Sequence, residues 1–283
     1  MPFQLSSCDV IGFDLDMTLC RYKMSPFIRL CYQSVASHLV NNHSYPIELL
    51  EEFTGDEVQM LAKYQIIEWN TEGNINVFFV ASDGTISHSI ETMEKGIKQV
   101  SGQWAHVDTF AKRSVWENDD ETHQHWAVDS IWDQYLPVLI VRLNQMRTDG
   151  LFVKENDQII TDILQAQKSE MSDCNGFADE SGMYFKSIRD DPLKYISPLP
   201  KTALNWLRKL SKSKKLFLMT SSVHHYAKFL LDIIMVENGK PIDYWEIFDL
   251  CIADARKPGF FNKRKMFKNI ENEPVASVQS GDW

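Results

Sequence analysis

Val10-Ile11-Gly12-Phe13-Asp14-Leu15-Asp16-Met17-Thr18-Leu19 is a short apolar run that delivers two carboxylates, one residue apart, into a hydroxyl and a further apolar residue. The part from Val10 to Phe13 has no polar alternation, which predicts a strand covered on both faces, the usual state in a parallel sheet. Ligands of such sheets gather at the carboxyl ends of the strands, where Asp14 emerges. On extended backbone, side chains two apart point the same way, so Asp14 and Asp16 can converge on one ion. Carboxylates that close both stay ionised only beside a cation. The stretch has the outline of a magnesium and phosphate site.

Composition narrows the partners. A chain of 283 residues with 44% hydrophobic residues can bury one large core or two modest ones. Its 29 Lys and Arg against 39 Asp and Glu give a formal charge of -10, which opposes binding to a nucleic-acid backbone but leaves room for small anions at a local cation. Cys8, Cys20, Cys31, Cys174 and Cys251 are scattered and lack any Cys-x-x-Cys spacing, so they read as reduced packing thiols. The N-terminus shows no secretory signal and no segment has the length of a membrane span; the expectation is a cytoplasmic protein without membrane or nucleic-acid partners. Homo-oligomerisation is left open.

Along the chain, helical spacing covers Pro26 to Asn42, Pro46 to Trp69 in two pieces, Glu91 to Val100, Ile131 to Arg147 and Asp157 to Met171. Ile75 to Val80 reads as a strand, and Ser82-Asp83-Gly84-Thr85 as a hairpin turn. Beyond Pro198 the elements alternate at short intervals, as βαβ units do. Pro198 to Leu210 and Val223 to Val236 read as helices, Lys215 to Met219 and Ile247 to Ile252 as buried strands. The strand at Val10 and its neighbour at Lys215 are separated by far more chain than one crossover requires, which predicts an inserted domain.

Three pieces then resemble one family. Asp-x-Asp-x-Thr at Asp14 to Thr18 resembles the first motif of the haloacid dehalogenase superfamily of phosphohydrolases, and Gly12-Phe13-Asp14-Leu15-Asp16-Met17-Thr18-Leu19 is similar, more narrowly, to its cytosolic 5'-nucleotidase and 5'-nucleotidase domain-containing branch. Thr220-Ser221-Ser222, at the end of a buried strand, resembles the second motif. In isolation such hydroxyls are commoner as a helix N-cap, but their place after the long insertion favours a phosphate site. Ala253-Asp254-Ala255-Arg256-Lys257-Pro258-Gly259-Phe260-Phe261 resembles the third motif, whose lysine precedes a proline; Lys257 takes that role, with Arg256 as the alternative source of the charge.

The resemblance implies an α/β fold. A Rossmann-like parallel core (1–24 and 188–283) is interrupted by a large mixed cap domain (25–187) that covers the site and chooses the substrate. It implies magnesium-dependent hydrolysis of a phosphate monoester, with 5'-nucleotides as the substrate class. In that mechanism Asp14 is the nucleophile, Asp16 the general acid and base, Thr220 and Ser221 hold the phosphate, and Mg2+ binds the Asp14 carboxylate and the Asp16 carbonyl. The family's fourth motif, a strand followed by Gly-Asp-x-x-x-x-Asp, is imitated only by Gly281-Asp282 after a poor strand at Pro274 to Gln279. The core is therefore expected to be C-terminally truncated, with an exposed sheet edge prone to aggregation or partner dependence. The alternative is a catalytically inactive relative acting as an interaction protein. A receiver-like phosphoacceptor also uses acids, a Thr and a Lys, but the long insertion after Asp16 argues against it. His123 and His125, His224 and His225, the acidic Asp119-Asp120-Glu121 loop and most tryptophans are assigned no functional role.

Overall fold

Parallel pairing joins the N-terminal strand to the last third of the chain in one sheet. The computed structural model describes residues 7–58, 78–81, 86–87, 117–120, 123–128, 131–172, 177, 182–255, 257, 267–271 and 274–275. In chain order its elements are β1 (Val10–Phe13), β2 (Arg21–Tyr22), α1 (Met24–His43), β3 (Phe78–Ala81), β4 (Ile86–Ser87), β5 (Glu117–Asp120), β6 (His123–Val128), α2 (Leu136–Thr148), α3 (Asn156–Gln167) and α4 (Met183–Asp190). There follow α5 (Pro192–Tyr195), β7 (Ile196–Ser197), α6 (Lys201–Ser211), β8 (Lys215–Met219), α7 (His224–Ile234), β9 (Val236–Glu237), β10 (Lys240–Pro241), β11 (Leu250–Ala253), β12 (Phe267–Asn269) and β13 (Pro274–Val275). The chain divides into two compact units, one of residues 1–26, 177–180 and 186–283, the other of residues 27–176 and 181–185.

The first unit is built on a sheet of order β1-β8-β11-β12-β13. The first three strands run parallel, with Gly12 opposite Phe217 and Phe13 opposite Leu218, and Leu250 opposite Phe217 and Ile252 opposite Met219. This is the α/β architecture expected. Two antiparallel strands, β12 and β13, extend it and are additional to the expectation. Val10 is 47% exposed, so β1 is not covered on both faces as its apolar run suggested. Among the described residues β1 is an edge strand, a neighbourhood that apolarity alone cannot report. Phe13 packs edge-on against Trp206 and Phe248. Leu204 and Leu207 of α6, and Ala227, Leu230, Leu231 and Ile234 of α7, are buried at helical spacing.

Gly12 is required by close approach rather than by a turn. A Cβ there would lie 2.8 Å or closer to carbons of the Phe217 ring on the facing strand. Several boundaries also differ from the sequence reading for identifiable reasons. Residues 131–135 form turns and α2 begins only at Leu136, because Pro137 has no N–H and is tolerated in a first turn but not in the interior where the earlier start would place it. Pro200, in extended conformation, likewise delays α6 to Lys201. α7 ends at Ile234, and Val236 turns into the β9–β10 hairpin across Asn238 and Gly239, both at positive φ (52° and 76°). Asn-Gly is a strong hairpin signal that the helical spacing obscured.

The second unit holds α1, α2, α3 and an antiparallel sheet of order β4-β3-β6-β5. The expected hairpin is present as the β3–β4 pair, Val80 opposite Ile86. Its turn, the helix at Glu91 to Val100, and Trp69, Trp104 and Trp116 lie outside the described residues. Asp119 and Asp120 are in strand β5, not in a loop, because pairing with β6 outweighs their low strand propensity. Trp132 donates to the Tyr184 hydroxyl and packs on Phe27, a structural role.

Arg142 is a strong tie in this unit. Its guanidinium donates to Glu57 Oε2 at 2.7 Å, to the carbonyls of Glu51 and Glu52 at 2.7 Å each, and to the Tyr32 hydroxyl at 3.2 Å. Burial works to raise the Glu57 carboxyl, but hydrogen bonds from Arg142 and Thr54 outweigh it and hold it below its usual range. Asp162, 1% exposed, is lowered in the same way by Lys154, Gln158 and Tyr45 against the effect of burial.

Candidate active site

Three adjacent parallel strands end on the same edge of the main sheet, and each end delivers part of one polar cluster. β1 leads into Asp14, β8 into Thr220, Ser221 and Ser222, and β11 into Asp254 and Lys257. Backbone hydrogen bonds tie the loops together: Thr220 N–H to Ile252 O (2.9 Å), Asp254 N–H to Ser222 O (2.8 Å) and Ala255 N–H to Thr220 O (3.0 Å). The cluster therefore follows from strand order and direction, as ligand sites of open parallel sheets do.

Lys257 reaches Asp14. Its Nζ lies 2.6 Å from Asp14 Oδ2 and donates to Met219 O at 3.2 Å, so one cation bridges the ends of β1 and β8. Asp14 Oδ1 accepts the N–H of Leu15 at 2.8 Å. Its side chain is 43% exposed and that of Lys257 25%, which leaves the pair open to a small solute. The Lys257 N–H donates to Ser221 Oγ at 3.0 Å. Because that oxygen accepts, the Ser221 hydroxyl hydrogen can turn toward a bound anion. Arg256, the alternative cation, lies outside the described residues.

Asp16 has a different environment. After Asp14 the chain leaves the extended conformation: the Leu15 carbonyl accepts from the N–H groups of Thr18, Leu19 and Cys20, and Met17 takes a positive φ of 58°. The two carboxylates meet different partners, Asp14 the Lys257 ammonium and Asp16 a cage of hydroxyls. Tyr22 donates to Oδ1 at 2.7 Å, and Ser222 and Thr220 donate to Oδ2 at 2.7 and 3.3 Å. Burial raises the Asp16 carboxyl above its ordinary range, the Ser222 and Tyr22 hydrogen bonds oppose that rise, and the charge of Asp14 adds to it. A carboxyl so raised keeps its proton to higher pH, as a general acid requires.

The structure thus brings Asp14, Lys257 and Ser221 together beside Asp16. It places the hydroxyl of Thr220, a residue 1% exposed, on Asp16, where it also accepts the Ser222 N–H at 3.1 Å. Two neighbours of Asp16 were not singled out from sequence. Tyr22 comes from β2 and carries no motif signal, and in the sequence Ser222 stands out only as one of three successive hydroxyls. Tyr226 stands behind Tyr22, with 3.3 Å between their hydroxyl oxygens.

Oxygen donors of this kind suit magnesium, which keeps several waters and takes few protein ligands. The Asp14 carboxylate, 43% exposed, could hold it; the Asp16 carboxylate is taken up by three hydroxyls. Among the described residues no group of three or more His, Cys, Asp or Glu could hold a metal ion, and no helix is long and apolar enough to cross a membrane. His224 and His225 sit side by side in the first turn of α7, with His225 stacked on Phe177. Cys8, Cys20, Cys31 and Cys251 are free thiols.

A model described as the 5' nucleotidase family matches residues 2–280. The chain is similar to human 5'-nucleotidase domain-containing protein 1, 30% identical over 298 residues that cover 99% of this chain and 62% of that protein. The Bos taurus protein of the same name is 29% identical over 285 residues, covering 96% and 59%. A 5'-nucleotidase domain-containing protein of Dictyostelium discoideum is 27% identical over 275 residues, covering 94% and 42%. This chain therefore spans less than two thirds of the length of these relatives.

Proposed function

This chain belongs to the 5' nucleotidase family, and from that membership we propose that it is a magnesium-dependent phosphomonoester hydrolase acting on 5'-nucleotides through an aspartyl-phosphate intermediate. The observation that carries the reading is the pairing of an accessible carboxylate with a cation, Asp14 with Lys257 at 2.6 Å, next to a second carboxyl, Asp16, that burial raises above its ordinary range and three hydroxyls hold in place.

Asp14 attacks phosphorus through a carboxylate oxygen, and the bond from phosphorus to the ester oxygen breaks. Asp16 gives its proton to that departing oxygen, which leaves as a neutral alcohol. In the second half Asp16 takes a proton from water as the water oxygen bonds to phosphorus. The bond to Asp14 breaks, and inorganic phosphate departs. Lys257 offsets the repulsion between Asp14 and the phosphoryl oxygens, and the Ser221 hydroxyl donates to one of them. Magnesium, held by the Asp14 carboxylate and the Asp16 carbonyl, would supply further charge neutralisation at the phosphoryl group. We assign the second unit the part of an inserted cap that selects the substrate, and a cytoplasmic setting agrees with thiols that remain free.

Phosphate release from a panel of nucleoside monophosphates, with and without magnesium, tests this. Wild-type protein should release phosphate only with the metal, and Asp14→Asn, nearly isosteric, should abolish release. Undiminished turnover by Asp14→Asn would reject Asp14 as nucleophile. No turnover by the wild type would favour the interaction protein instead.

A further inference from the structure

We propose that Tyr22 is a positioning residue for Asp16, holding the carboxyl group in the orientation from which it exchanges a proton with the departing oxygen; this rests on the phosphomonoesterase reading above. The two Asp16 oxygens are held from different directions. Oδ2 is held by Thr220 and Ser222, which belong to the loop after β8, whereas Oδ1 is held by the Tyr22 phenol at 2.7 Å. A carboxyl gripped at one oxygen still swings about its Cβ–Cγ bond, because that torsion is broad. A second grip at the other oxygen fixes its plane.

Tyr22 is itself placed without help from Asp16. Its backbone pairs with Ile196 in the β2–β7 ladder, and the next residue, Lys23, donates its N–H to Tyr195 O at 2.7 Å. The residue is 7% exposed and its hydroxyl meets that of Tyr226 on α7. The chemistry of the cage also fits a group that must alternate between acid and base. A hydroxyl donates to a carboxylate and, after rotating, accepts from a carboxylic acid, whereas an ammonium or guanidinium in its place would hold Asp16 ionised. Of the three hydroxyls, that of Tyr22 alone lies outside the turn holding Thr220, Ser221 and Ser222, so it can be removed with that turn left in place.

The test compares Tyr22→Phe with wild type on a nucleoside 5'-monophosphate and on p-nitrophenyl phosphate, reading kcat/KM, which extends only to phosphoryl transfer onto Asp14. An alkoxide leaving group needs the proton; p-nitrophenolate departs without it. The variant should lose about tenfold on the nucleotide and stay within about twofold on the aryl ester, as loss of one charged hydrogen bond in the transition state predicts. A purely structural effect lowers both equally. Equal loss on both esters, or loss on neither, with an active wild type, overturns the assignment. A wild type that cleaves neither ester overturns the hydrolase reading itself. Should Tyr22→Phe melt below the assay temperature, Tyr226→Phe, which leaves the Tyr22–Asp16 bond intact but unsupported, should show the same split at about threefold. An equal loss on both esters would again overturn the proposal.

Discussion

Replacing Lys257 with Met removes the charge and keeps most of the length of the side chain. In stability the change should be small. The Asp14 and Lys257 side chains are 43% and 25% exposed, and a solvated pair of that kind contributes within about 1 kcal/mol despite the 2.6 Å contact. The lost donation to Met219 O, at 3.2 Å, adds only a fraction of that. In catalysis the proposed mechanism requires the change to be large, because the same ammonium stands beside Asp14, where that mechanism brings two anions together. Loss of one preorganised donor directed at such charge typically costs about 100- to 1000-fold, or about 2.7–4 kcal/mol. The expected result is a separation of at least about 1.7 kcal/mol between the activation and the folding effects. Steady-state phosphate release with magnesium gives the first quantity and urea unfolding of the same sample the second. A kcat/KM within about threefold of wild type, or a loss matched by an equal drop in folding stability, would refute the role given to Lys257.

Arg142→Met should destabilise the protein by about 3–5 kcal/mol, since it leaves Glu57 and the Glu51 and Glu52 carbonyls without their shared donor; a urea-midpoint change equivalent to under about 1 kcal/mol would show that the network is replaceable. Glu57 is held below its ordinary value near 4.5, so its contribution is complete above that value and is lost as pH falls through the lower folded value. The melting-temperature difference between wild type and Glu57→Gln should therefore be constant from neutrality to about pH 5 and shrink below it, and a difference that grows on acidification would contradict the sign. Gly12→Ala should cost about 1–3 kcal/mol by driving a methyl group into the Phe217 ring, and Phe217→Leu in the same chain should recover part of it; chemical denaturation of the two variants measures both.

Much of the molecule was legible from residue order. The apolar run before Asp14 marked β1, the alternation beyond Pro198 marked β8, α7 and β11, and the hydroxyls and lysine at their ends marked where the site would lie. Local patterns report such things because a strand entering a parallel sheet needs an apolar run, and whatever follows it emerges at the strand's end. Where two local signals competed, pattern reading failed. At Pro137 the missing N–H outweighed the apolar spacing, and at Asn238-Gly239 turn chemistry cut short a helical pattern.

Sequence by itself thus determined the α/β class, the order of the core elements and the residue types brought to one sheet edge. Tertiary structure alone decided what each of those residues does to its neighbours. It turned Thr220 and Ser222 onto Asp16 and, by pairing β2 with the distant β7, held Tyr22 at the other oxygen of the same carboxyl. The physical reason is that hydrogen bonds between residues 204 and 206 positions apart leave no periodicity in the chain. They exist only once strands with no local relation have been laid side by side, and burial there, rather than spacing, raises the Asp16 carboxyl above its ordinary range.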